Sequence, residues 1–150
     1  MVAALTLFAC ACGSSKGSAT PTTGRSLAAR YLAIAEAGND ALEHDFDALE
    51  AGDANDLRAA RPELLRIAAT ERRFDRRLLA LALPPPMATT ARALVRANEA
   101  RASLTALAAS STSVAELQSF LTRMTAANPP VEDQVKTLRR QLGLPPPDTD

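Results

Sequence analysis

Apolar residues recur every three or four positions through most of this chain, the period of an amphipathic helix. From about Ser26 to Ala51, Leu27, Tyr31, Ile34, Gly38, Leu42, Phe46 and Leu49 fall on one face. Gly52 supplies a stop, and Asp53 or Asn55 can cap the helix that follows. The second helix carries Leu57, Ala60, Leu64, Ile67, Glu71, Phe74, Leu78 and Leu81 on its inward line. Pro62 interrupts it; the missing donor and the crowded carbonyl predict a kink or a fresh start at Arg61. Pro84-Pro85-Pro86 ends it.

A third helix, about Met87 to Ala109, has a weaker pattern, with Ala91, Leu94, Val95, Asn98, Ala102 and Thr105 on one face. Its small residues allow close packing. Ser113 with Glu116 reads as a capping box opening a fourth helix. Leu117, Phe120, Met124, Ala127, Val131, Val135, Leu138 and Leu142 keep its phase across Pro129-Pro130. Asn128 can cap a restart with Pro129 in its first turn, which predicts two collinear or bent pieces. Gly143 stops the helix, and Pro145 to Pro147 lead out. No run of alternating β-branched residues competes with this reading. The predicted class is all-α: an up-down-up-down four-helix bundle over 26–144, with helices 2 and 4 kinked or broken at Pro62 and Pro129-Pro130 and a disordered tail over 145–150.

The first 25 residues follow another logic. An uncharged apolar run, Val2 to Ala9, meets Cys10 and Cys12, and a Gly, Ser, Thr and Pro tract follows as a flexible tether over 13–25. Leu7-Phe8-Ala9-Cys10 resembles the lipobox of bacterial lipoproteins at its first, third and fourth positions; Phe8 is larger than that pattern usually holds. Ala9-Cys10-Ala11-Cys12 is the competing frame. The resemblance implies a signal peptide over 1–12 and acylation of Cys10, or alternatively Cys12. It implies export, with the domain anchored to the outer face of the cytoplasmic membrane or in the cell envelope. No basic segment precedes the apolar run, and one reading places the true start upstream. The alternatives are ordinary secretion and a cytoplasmic N-terminus that is apolar by chance. The domain is similar to Ala- and Arg-rich helical lipoproteins of unassigned role from high-GC bacteria, a likeness that names no activity.

Charge narrows the partners. The 17 basic and 17 acidic residues of the 150-residue chain balance, whereas nucleic-acid binding normally shows as a basic excess. Trp is absent and aromatics are 3%, which leaves no stacking platform for bases. Both cysteines lie in the leader, so no cysteine of the domain can act as nucleophile or metal ligand.

Candidate chemistry is correspondingly sparse. Glu36, Asp40, Glu43, Asp47 and Glu50 line the side of helix one opposite its apolar face, as a solvated strip or a docking strip for a basic partner. His44, the single histidine, falls among them, which fits neither an inward di-iron site nor a Ser-His-Asp triad. Arg72, Arg73, Arg76 and Arg77 flank the core line of helix two, with Glu71 and Asp75 available for pairing within the helix. They read as a solvated face or as a contact for anionic lipid headgroups. Glu71 itself occupies a core step, and Asn98 and Thr105 hold comparable inward positions with Arg101 nearby. Three readings stay open: a buried polar layer that sets register, a Glu71 reaching solvent near the bundle end, and a small-ligand site. The chain predicts no catalytic residue, metal site or cofactor. It predicts a lipid-anchored domain acting by contact with an envelope protein, or alternatively a carrier of a small apolar ligand or lipid between the helices. It predicts no oligomeric state.

Overall fold

A computed structural model describes residues 22–52 and 56–147, so the leader, Cys10 and Cys12 lie outside the described residues. The elements are α1 (Thr22–Ala51), α2 (Leu57–Leu79), α3 (Pro85–Ala108), α4 (Val114–Ala126) and α5 (Asn128–Gln141), with no strand among the described residues. The helix starts differ from the sequence reading at two places. α1 begins at Thr22, so the last residues of the expected tether are helical, and α3 begins at Pro85. Proline suits the first turn of a helix, where its missing N–H would have no partner anyway, so the Pro84-Pro85-Pro86 run starts α3 as well as ending α2.

Local chemistry accounts for the other boundaries. Asp56 caps α2, its Oδ1 accepting from the Arg58 and Ala59 amides at 2.9 and 3.0 Å; the expected caps Asp53 and Asn55 lie outside the described residues. With the start anchored there, α2 runs unbroken through Pro62, and no fresh start occurs at Arg61. Pro62 has no N–H, so the Arg58 carbonyl loses its helical donor while the flanking bonds continue the helix. Ser113 Oγ accepts from the Glu116 amide at 3.2 Å, but Glu116 reaches back to the amide and hydroxyl of Thr112 rather than to Ser113. The fourth helix does divide, between α4 and α5, because Pro129 and Pro130 offer no N–H to the Thr125 and Ala126 carbonyls. Asn128 does not cap α5; its side chain turns toward Arg101 instead.

α5 closes in a Schellman turn. Gly143 takes φ +70°, its amide donates to the Arg140 carbonyl, and the Leu144 amide donates to the Arg139 carbonyl. Arg139 Nε then holds the Pro145 carbonyl at 2.6 Å, so the start of the expected tail is tied to the bundle.

The register is antiparallel at each step. Gly38 packs on Phe74 while Asp45 meets Thr70; as α1 advances, α2 recedes. α2 meets α3 through Glu71 and Arg101 and through Asp75 and Asn98; α3 meets the fourth helix through Arg101 and Asn128 and through Thr105 and Met124. Backbones approach most closely between α1 and α2, between α2 and α3, and between α3 and both α4 and α5. α1 and α5 meet chiefly through side chains of a shared core.

That core is divided. The larger apolar cluster, which includes Tyr31, Leu78, Leu94, Val135 and Leu138, fills the half where α1 begins. The smaller, Ala60, Leu64, Ala108, Ala109 and Leu117, fills the other. Between them buried polar side chains are interleaved with Leu42, Ile67, Ala102 and Met124.

Candidate functional site: the buried polar layer

Glu71, Asn98 and Thr105 are all buried, with 2%, 3% and 0% of their surface exposed. The layer is wider than those three. Asp45, Thr70, Asp75 and Arg101 are also buried, Asp75 and Arg101 in contact with the Glu71–Asn98 group and Asp45 with Thr70 beside it.

Arg101 organises it. Its Nε lies 2.7 Å from Glu71 Oε1, with the N–H off-line, so this is an ion pair rather than an aligned hydrogen bond. Its Nη2 donates to Asn98 Oδ1 at 3.1 Å, and its Nη1 reaches Asn128 Oδ1 at 3.4 Å. Asn98 Nδ2 donates to Asp75 Oδ1 at 3.0 Å and, more weakly, to the Glu71 carbonyl at 3.4 Å. One asparagine thereby bridges the guanidinium and the second carboxylate. Thr105 stands a turn away from this network. Its hydroxyl lies 3.1 Å from the Arg101 carbonyl and 3.0 Å from Met124 Sδ, and its single proton serves one at a time. Asp45 Oδ2 accepts from Thr70 Oγ1 at 2.9 Å.

Burial decides the electrostatics. It pushes the Glu71 carboxyl up, and the Arg101 guanidinium beside it brings it only part of the way back. Burial also raises Asp75, to about 6, against the opposing Asn98 hydrogen bond; the neighbouring Glu71 charge adds to the rise. The network around Arg101 and Asn98 therefore carries two carboxyls and one guanidinium, with Asp75 able to take up a proton in mildly acidic solution. Glu71 Oε2 and Asp75 Oδ2 make no hydrogen bond within the bundle.

The helix-two arginines sort differently from the sequence reading. Neither Glu71 nor Asp75 pairs along its own helix: Glu71 crosses to Arg101, and Asp75 to Asn98. Arg72 also crosses, gripping Glu99 on α3 at 2.7 Å, and this contact lowers the Glu99 carboxyl. Arg73, Arg76 and Arg77 are exposed, as are Glu36, Asp40, Glu43, Asp47, Glu50 and His44 on α1. Among the described residues no three His, Cys, Asp or Glu side chains come together as a metal site.

Reading one apolar line per helix places Arg101 only nearby and misses the burial of Asp45 and Asp75, because a buried stripe is at least about 100° wide. Asp45 and Asp75 each adjoin a core-line residue, Phe46 and Phe74, and that adjacency is the available signal.

Little space remains in the layer. A cavity of about 10 Å3, lined by Gly38, Glu71, Phe74, Asn98, Arg101 and Val131 among others, has room for about one water. A second, about 30 Å3, lies along α1 and α2 beside Ala37, Gly38, Ala41 and Phe74. A small-molecule site is on the order of 300–1,000 Å3. No family model, curated protein or solved structure matches the chain.

Proposed function

We propose that this chain is a lipid-anchored helical domain of the cell envelope that acts by contact with another protein. The observation that carries the address is the lipobox-like Leu7-Phe8-Ala9-Cys10 run ahead of a Gly/Ser tract. Two acyl chains on one cysteine bury enough methylene groups, at about 0.8 kcal/mol each, for stable anchoring. No helix among the described residues is long and apolar enough to cross a membrane. Action by surface contact is favoured because the polar groups of the interior are largely engaged with one another and the cavities there are water-sized. The carrier reading has no comparable support.

The deciding measurement is the intact mass of the mature protein, produced from its full gene in a related bacterium. A mass equal to the chain from Cys10 or Cys12 plus acyl groups supports the anchored reading. An unprocessed chain without acyl groups refutes it. Crosslinking in native envelopes that recovers no protein partner counts against the contact reading separately.

A further inference from the structure

The balanced charge of the chain hides a polarised surface. The antiparallel register brings the start of α1, the end of α2, the first half of α3 and most of α5 to one end of the bundle, around the larger apolar cluster. At that end Arg30 of α1 and Arg73, Arg76 and Arg77 of α2 are exposed. Arg92 and Arg96 of α3 and Arg140 of α5 join them. The exposed acids there are Glu36, Asp40 and Asp133, while Glu132 is engaged by Lys136 at 3.5 Å. The other end mixes signs, with Glu43, Asp47, Glu50, Asp56 and Glu116 against Arg58, Arg61, Arg66 and Arg123.

Within the basic end, one face is concentrated. Counting about 100° per residue, Arg72, Arg76 and Leu79 share one side of α2, and Arg92, Arg96 and Glu99 share one side of α3. The Arg72–Glu99 ion pair shows that these two sides adjoin. Leu79 is one of three large apolar side chains left half in solvent among the described residues, at 50% exposure, and it sits among the arginines. Helix dipoles explain part of the pattern, since Arg76 and Arg77 occupy the last turn of α2. They do not explain Arg92 and Arg96, which lie toward the positive end of α3.

The geometry points to this α2–α3 face as a docking surface for anionic phospholipid headgroups. Several arginines around an exposed leucine suit a surface that is anionic at its plane and apolar just beneath it. α1 begins at this same end, and in sequence the apolar run and the two cysteines precede it. The inference rests on the envelope reading above for its setting and extends it: the tether brings the domain to the membrane, and the basic face orients it there.

The test uses the full chain carrying Cys10→Ser and Cys12→Ser, which cannot be acylated, on vesicles of phosphatidylglycerol with phosphatidylcholine and on vesicles of phosphatidylcholine alone. Binding to the anionic vesicles is expected to exceed binding to the neutral ones and to weaken with salt. Arg76→Gln, Arg92→Gln and Arg96→Gln together should lower the partition coefficient about 100-fold, at about fivefold per arginine. Arg58→Gln, Arg61→Gln and Arg66→Gln at the opposite end should leave it nearly unchanged. Equal binding to both vesicles, binding to neither, or an equal loss in both triple variants overturns the inference. The mass of the mature protein fails separately: an unacylated mature chain removes the anchor and leaves the vesicle result standing. An acylated chain whose unacylated form ignores phosphatidylglycerol does the reverse.

Discussion

Replacing Arg101 by methionine isolates the energetics of the polar layer. The substitution removes the ion pair to Glu71 Oε1 at 2.7 Å and the hydrogen bond to Asn98 Oδ1 at 3.1 Å, and it leaves a carboxyl that is 2% exposed without its cation. The cheapest response is protonation of Glu71. Taking a carboxyl of ordinary pKa 4.5 to its neutral form at pH 7 costs about 3 kcal/mol, and the lost hydrogen bond adds about 1. Arg101→Met should therefore destabilise by about 3–4 kcal/mol at pH 7, read from the urea midpoint at constant m-value. Glu71→Leu strands the guanidinium instead and should cost a comparable amount. The double variant replaces both charges by apolar groups and should recover most of the loss, giving a coupling energy of about 2–3 kcal/mol. The sign with pH is fixed as well. A carboxyl whose folded pKa is raised contributes full stability while protonated and loses it as pH rises through that pKa. The Arg101→Met deficit should therefore shrink by about 2 kcal/mol between pH 7 and pH 5. A loss below about 1 kcal/mol, or single-variant losses that simply add in the double, would refute the reasoning.

Asp75, raised to about 6, should lose stability as pH rises from about 4 through 6, and Asp75→Asn should flatten that slope by about 1–2 kcal/mol after allowance for screening; a urea-midpoint series against pH reads it. Tyr31, the single tyrosine, is buried and held up to about 12, so its absorbance titration should lag well behind that of the unfolded chain, with stability lost between pH 10 and about 12; a midpoint near 10 in the folded state would contradict its burial. Gly143→Ala should cost about 1 kcal/mol in thermal or urea unfolding, because φ +70° strains a side-chain-bearing residue although nothing lies in the way of its Cβ. Asp56→Ala should cost about 1–2 kcal/mol by removing the cap that starts α2 ahead of Pro62.

The amino-acid sequence by itself determines the helices, because helical period, caps and breakers act over a few residues and need no partner. The core lines of α1 and α2, the stop at Gly143 and the division before Pro129 were all legible on that ground. So was Glu71 as the odd residue on an apolar line. Of the two outcomes expected at Pro62, the fresh start does not occur. What tertiary structure decided is which side chains meet. Glu71 is followed directly by Arg72 and Arg73 on its own helix, yet its cation comes from α3, because only Arg101 is carried into the same buried layer where an unpaired charge is costly. Asn98 could satisfy any of several neighbours, and the α2–α3 register selected Asp75 and Arg101. The gathering of arginines at one end follows from the same cause: antiparallel packing superposes stretches of chain that lie far apart in sequence, and no local pattern records that superposition.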